Sequence, residues 1–376
     1  MFLYLIIFIF AVIGYLKIQM TGTRSKRYFA CWMLFLCLFV GLSDMLGGYD
    51  RYIYGEIFDS IADQTSVGTA WNNYNYLGHD NEVGYQYLNI LFSFLTSNRY
   101  IFILFITILI YIFFFFALKE YIVDSTILII LFLSLIFFFT FTYIREILAV
   151  SILALSYRYI IKRDFKRFFV LFIIAFSIHN SAIIFFFMYF IPIRKYTIQT
   201  IIIVAFLLFL IGLSPFPRVL FVQYGNVSED VRIEQNLDTM SFRIEYLIEA
   251  LFFLFIILKN YDLVKDRKED IVFLNTSILF CLLLLLFVRS VNGGRLSWYF
   301  TIGLMVTLVN IFNRMNMSYK SMIMVVSVFL YLRVLSSWGI FLYPYKTFLT
   351  NGHREKDPMF QRYEYDLNYD DDKLYR

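Results

Sequence analysis

Apolar runs long enough to cross a bilayer, separated by short basic turns, constrain this chain more than any other feature. They fall at about 1–18, 27–43, 99–118, 125–142, 144–161, 168–178, 181–192, 197–213, 243–259, 271–288, 296–313 and 319–341. A helix crossing the hydrocarbon needs about 20 residues, within a range of roughly 17–25. Of 376 residues, 60% are hydrophobic and only 16% charged, against about a quarter charged in a soluble domain. The expected fold is an all-α, polytopic transmembrane bundle of about eleven or twelve spans. Residues 1–342 form the membrane domain, and 343–376 a polar tail rich in Tyr and Asp that is flexible or surface-bound.

No basic stretch precedes the first run and no small-residue cleavage site follows it, so it reads as a first span rather than a cleaved signal. Lys17, Arg24, Lys26 and Arg27 follow it. Basic residues mark the cytoplasmic side, which puts the N-terminus outside. The basic turn Arg158–Arg167 is then inside, and long loops at about 44–98 and 214–242 are outside. The pieces flanking His179 are each too short to span. They read either as one long helix or, preferably, as a broken pair meeting at His179-Asn180-Ser181. The broken pair returns the chain to the inside and keeps Arg194, Lys195 and the cluster Lys259, Lys265, Arg267 and Lys268 there. Irregular backbone at that depth is tolerated where it lines a cavity or is buried in protein.

The net charge of +5 gives no nucleic-acid signal, because the basic residues sit mostly in short turns. Cys31, Cys37 and Cys281 lie in apolar runs and form no metal or disulfide pattern. No phosphate-binding loop, zinc-protease or nucleophile-elbow motif occurs in a usable context. No metal and no cofactor is expected.

The loop 44–98 combines acids (Asp44, Asp50, Glu56, Asp59, Asp63, Asp80, Glu82) with rings (Tyr49, Tyr52, Tyr54, Trp71, Tyr74, Tyr76, Tyr85, Tyr87). Carboxylates bind hydroxyls and rings stack on sugar faces, so the loop suits carbohydrate as well as a packed cap. Arginines gather at the outer ends of the runs: Arg145, Arg243, Arg289, Arg295 and Arg333. Counting about 1.5 Å per residue, Arg333 lies roughly 24 Å above Met317, and His179 about 20 Å above Lys166. Ionisable groups at such depth are costly and mark function. Guanidinium forks bind phosphate oxygens bidentately, so Arg145, Arg289, Arg295 and Arg333 are candidates for a lipid-linked diphosphate. His179 is a candidate general base. Asp50, Glu82, Glu146, Glu245 and Glu249 are others. Glu146 stands next to Arg145 and is a candidate to neutralise it.

Three segments in this order, GGYDRYIYGEIF (Gly47–Phe58) with NEVGYQYLNILFSFL (Asn81–Leu95), IREILAVSILAL (Ile144–Leu155) and KRFFVLFIIAFSIHNSAIIFF (from Lys166), resemble the EpsG-like branch of the Wzy-type polysaccharide polymerases. The match is best over about Met45–Phe190. Glu146 departs from it, since the family more often has Gln there. The resemblance implies a metal-independent, inverting membrane glycosyltransferase, broadly of GT-C type, in a bacterial cytoplasmic membrane. Its site would face outward. It would move a growing glycan from undecaprenyl diphosphate onto the sugar end of another lipid-linked repeat unit, as in O-antigen, capsule or exopolysaccharide synthesis. Carried over by position, Arg145 would hold the diphosphate, His179 would be the base or a substrate anchor, and Asp50 would shape the glycan site with Tyr54, Glu82 and Tyr85. The expected partners are the undecaprenyl-diphosphate-linked oligosaccharide, membrane lipid and a chain-length regulator. A lipid-linked oligosaccharide flippase or other transporter, an O-antigen ligase-like transferase and a membrane acyltransferase are the alternatives. Repeat symmetry, expected of many transporters, is not visible.

Overall fold

Side-chain caps start four of the helices in a computed structural model of the chain. The structure describes residues 1–21, 26–71, 82–217, 242–290 and 293–376, the side chains of 19–21 excepted. Tyr74, Tyr76, His79, Asp80, Arg24 and most of the expected loop 214–242 lie outside the described residues. The described elements are helical, with one isolated bridge between Ser43 and Thr347. They are α1 (Phe2–Thr21), α2 (Lys26–Gly41), α3 (Tyr49–Ser66), α4 (Val83–Ser93), α5 (Arg99–Leu118), α6 (Ser125–Leu135), α7 (Ile144–Lys162) and α8 (Phe165–Ile178). After these come α9 (Ile183–Phe186), α10 (Ile198–Leu213), α11 (Ile244–Lys259), α12 (Lys268–Leu286), α13 (Thr301–Phe312) and α14 (Met317–Ser337). Asn98, Asp124, Asp164 and Thr197 each cap the helix that follows by accepting from its first free amides, which otherwise lack partners.

Among the described residues, four stretches are long and apolar enough to cross a membrane: Arg99–Leu118, Lys268–Leu286, Gly293–Phe312 and Met317–Ser337. Other apolar helices, such as Ser125–Leu135 and Ile198–Leu213, are shorter. The expected run 125–142 breaks after α6, and Phe137–Phe141 continue as a 3-10 helix.

The basic turn is built as its sequence suggests. α7 stops at Arg163 in the left-handed conformation (φ 55°), and Asp164 restarts the chain as α8. α8 then stops at His179, whose backbone is extended (φ −150°, ψ 119°). A 3-10 turn, Asn180–Ala182, reverses direction. The returning segment lies back on α8. Phe186 meets Phe172 at 4.8 Å and Tyr189 meets Phe168 at 4.9 Å between ring centroids. Arg163 closes the hairpin by donating to the carbonyls of Tyr189 and Ile191. The broken pair is therefore what forms, with His179 at its apex.

Contacts sort the turns onto two ends. Lys195 pairs with Asp266, Tyr261 bonds Tyr196 and Asn275 bonds the carbonyls of Pro192 and Arg194. At that same end Tyr121 packs on Phe273 and Asn313 reaches Asp124. At the opposite end lie α3, α4, the His179 apex and the tail. α7 and α12 are buried along most of their length, so the helix that carries Arg145 is central.

Two segments at this second end are packed, as the cap and surface-bound alternatives anticipate. The loop 44–98 is not a plain loop, since α3 and α4 occupy much of it. Arg51, fully buried, fixes α3 by donating to the carbonyls of Val40, Ser43 and Phe141. The tail is wedged against α3 and α5 rather than loose. Arg99, also fully buried, donates to Glu56, Asp59 and Glu364 at 2.6, 2.6 and 2.9 Å, and Tyr369 covers its guanidinium at 4.2 Å. Gly55 makes room for it, since a Cβ there would sit 2.9 Å from Arg99 Cδ. Lys373 reaches Asp44 and Tyr100, and Asp357 accepts from Tyr52.

Candidate functional site

Glu82 precedes the first turn of α4. Its carboxylate caps nothing in its own helix and points across to two other elements. Oε2 accepts from Arg145 Nη1 at the start of α7. Oε1 contacts His179 Nδ1 at 2.6 Å and accepts from the Asn180 amide at 3.2 Å. Burial alone would raise this carboxyl's pKa. His179, Arg145 and the Asn180 amide outweigh burial and hold it down at about 2. Glu82 is thus a fixed negative charge between two groups far apart in sequence.

The helix break makes the approach possible, because it frees the Asn180 amide from helical bonding. Gly84 makes it close. A Cβ on Gly84 would sit 2.9 Å from the Ser177 backbone, so α4 lies almost against α8. Arg145 is further held by Tyr54, whose hydroxyl accepts from Nε at 3.1 Å. The rings of Tyr54 and Tyr85 lie 4.9 and 5.8 Å from its guanidinium carbon. Tyr54, Glu82 and Tyr85 were read as glycan binders; the geometry makes them the immediate surroundings of Arg145.

A carboxylate accepts and does not donate, so His179 Nδ1 carries a proton and Nε2 is left to accept one. The His179 side chain remains 20% exposed and that of Arg145 11%. The buried Asn180 Oδ1 has no hydrogen-bond partner among the described residues. Buried polar atoms of that kind are costly unless something fills them.

A second cluster adjoins the first through Glu146. The expectation that Glu146 neutralises Arg145 is overturned. Consecutive helix residues point to different faces, and Glu146 accepts from Arg295 Nε at 2.9 Å. Arg295 sits over Tyr143 at 4.2 Å and Trp298 at 5.4 Å. Ser181 at the hairpin apex and Tyr299 bond each other at 2.8 Å, tying the two clusters. Arg295, Arg333, Tyr143, Glu249, Trp298 and Trp338 line a cavity of about 260 Å³. Arg333 approaches Glu245 at 3.7 Å. Asp50, in the first turn of α3, lies within electrostatic reach of Arg295, Tyr143 and Tyr54.

Arg289 is not brought into either cluster. It is exposed and donates to the Leu213 carbonyl. Arg145, Arg295 and Arg333 each already face a carboxylate, yet a guanidinium has five N–H donors, and each keeps some unused. Among the described residues, no group of His, Cys, Asp and Glu is arranged to hold a metal ion.

The family model that matches the chain is that of the EpsG family, over residues 26–347. Comparison with curated proteins finds no match, and comparison with solved structures finds none either. The matched stretch includes both clusters and stops at the start of the tail.

Proposed function

The chain belongs to the EpsG family, a Wzy-like polymerase family, and from that premise we propose how it works. It lengthens a glycan at the outer leaflet of a bacterial cytoplasmic membrane. Membership implies a membrane-bound polysaccharide polymerase of glycosyltransferase type. The finer reading is ours: a broadly GT-C-like bundle of eleven or twelve passes, with undecaprenyl diphosphate as donor carrier and anomeric inversion. The acceptor is the sugar end of a second lipid-linked repeat unit. A chain-length regulator is a further proposed partner.

The observation that carries this reading is Glu82 holding Arg145 and His179 together at a helix break. The chemistry needs a base for an acceptor hydroxyl beside a cation for a departing diphosphate. In the proposed step, His179 Nε2 takes the proton of the acceptor hydroxyl. The hydroxyl oxygen attacks the donor's anomeric carbon. The bond from that carbon to the diphosphate breaks, and its electron pair leaves with the lipid diphosphate. Glu82 stabilises the imidazolium that forms and keeps the ring oriented, as a positioning residue. Arg145, with Arg295 from the adjoining cluster, takes up the negative charge on the leaving group. Asn180 Oδ1 is available to a sugar hydroxyl.

Orientation is supported by charge. The end carrying Arg158, Arg163, Arg167, Arg194 and Lys195 is rich in basic residues and is read as cytoplasmic. The site is at the other end.

The test supplies purified protein in nanodiscs with a synthetic lipid-linked repeat unit. Products of two or more repeats, with stoichiometric release of lipid diphosphate, are expected. Lipid-linked substrate that changes leaflet without lengthening would replace the polymerase reading with a transporter.

A further inference from the structure

The helices α11 and α14 run antiparallel and meet near their two ends. Near the site end, Arg333 Nη2 approaches Glu245 Oε1 at 3.7 Å. Near the other end, Phe255 meets the edge of Tyr319 at 6.2 Å between centroids. Along their length they do not pack closely. The 260 Å³ cavity lies in that gap, with Tyr246 and Glu249 on the α11 side, Leu330 and Arg333 on the α14 side, and Arg295 and Trp298 behind. Both helices also carry exposed apolar side chains, Ile248 on α11 and Phe329 and Leu332 on α14.

From this arrangement we infer that the gap between α11 and α14 is a lateral portal for the polyprenyl chain of a lipid diphosphate, with Arg333 as its headgroup latch. The inference rests on the polymerase reading above and deepens it. Charge and shape match such an amphiphile. The cavity places two guanidinium groups above apolar walls, Phe280, Leu284 and Leu330. At roughly 30 Å³ per water it holds the volume of about nine waters. That accommodates a headgroup and leaves the long chain to lie in the bilayer.

The latch is built to exchange. Arg295 is gripped by Glu146 through hydrogen bonds. The Arg333–Glu245 pair is longer than a hydrogen bond, so a diphosphate competes for Arg333 more easily. Glu249 lies on the same face of α11 as Glu245, four residues on, and within electrostatic reach of Arg333. In the resting portal Glu245 faces Arg333 directly and Glu249 stands within its electrostatic reach. An incoming diphosphate displaces Arg333 from them and opens the site end.

The experiment uses the full-length protein in phosphatidylglycerol–phosphatidylcholine nanodiscs. The probe is a C20 polyprenyl diphosphate bearing a diazirine on its first isoprene unit, and adducts are mapped by peptide mass spectrometry after illumination. Adducts are expected on α11 and α14 and should fall at least tenfold with excess unlabelled undecaprenyl diphosphate. Competed adducts confined to other helices would overturn the portal while leaving the polymerase reading standing. Adducts on α11 and α14 that competition does not reduce would mean only that this face meets bulk lipid, and would overturn it too. If no competed adduct forms anywhere, the diphosphate substrate itself is wrong and both readings fall.

Discussion

Glu82 holds Arg145 with one carboxylate oxygen and His179 with the other, joining three elements that are separate in sequence: the start of α4, the start of α7 and the apex of the broken hairpin. Replacing Glu82 with Gln keeps the shape and removes the charge. His179 then loses its fixed orientation and the charge that stabilises the imidazolium. The rate of chain extension should drop about a hundredfold or more, with KM for the lipid-linked acceptor changed only a few-fold. A steady-state comparison of the two proteins checks this. Near-normal turnover in the Gln variant would reduce Glu82 to a structural ion pair.

Gly84 gives a packing test of the same relationship. A Cβ there meets the Ser177 side chain and backbone, and overpacking of this kind costs about 1–3 kcal/mol. Gly84→Ala should push α4 off α8 and weaken the reach of Glu82 to His179. Loss of activity should exceed that in a control such as Gly339→Ala, whose Cβ would make only an ordinary contact with the end of Met1 at 3.8 Å. Thermal unfolding measured alongside activity separates a displaced site from an unfolded protein.

The tail supplies a pH prediction. Burial, assisted by the neighbouring Glu56 and opposed by Arg99, pushes the Glu364 carboxyl from 4.5 up to about 8. Burial likewise lifts Asp59 from 3.8 to about 6, against Arg99 and Tyr369. In both cases, Glu364 on the tail and Asp59 on α3, the docked state binds a proton that undocking gives up. Their contribution to docking is therefore fully present below the ordinary carboxylate range and is lost as pH rises through about 8. Limited proteolysis should cut residues of the tail faster at pH 8.5 than at pH 6. Glu364→Gln, which has no proton to lose, should flatten that dependence. An unchanged slope in the variant would place the sensitivity elsewhere.

Much of this was legible in the sequence, and what was not has physical causes. The apolar runs, the basic turn closed by Arg163 and Asp164, and the interruption at His179 follow from local pattern. α3 does not announce itself, because its sequence, YDRYIYGEIFDSIADQTS, has little apolar periodicity; Arg51 and Arg99 hold it through carbonyls and carboxylates instead. The pairing of Arg145 with Glu82 joins residues 63 apart, and no local rule connects them. Glu146 misled for the opposite reason: adjacency in a helix puts two side chains on different faces, and it serves Arg295. By composition the tail reads as flexible or surface-bound. Its acids and tyrosines gather around Arg99, whose buried charge needs them.

Arg295 and Arg289 separate the cavity from the surface. Arg295→Ala removes a guanidinium that lines the cavity and leaves Glu146 buried without a partner. The KM for the lipid diphosphate donor should rise about tenfold or more. Arg289→Ala removes an exposed side chain bonded, among the described residues, to the Leu213 carbonyl, and should leave donor KM within twofold. Equal effects from the two substitutions would remove the cavity from the donor site.

Time-resolved extension by wild type, Arg145→Ala and His179→Ala, with a lipid-linked repeat unit in excess in nanodiscs, tests the central claim most directly. The account predicts a ladder of products for wild type. For His179→Ala it predicts donor binding retained but extension lost, and for Arg145→Ala both weakened binding and lost extension. A product ladder from both variants at near wild-type rate would contradict it.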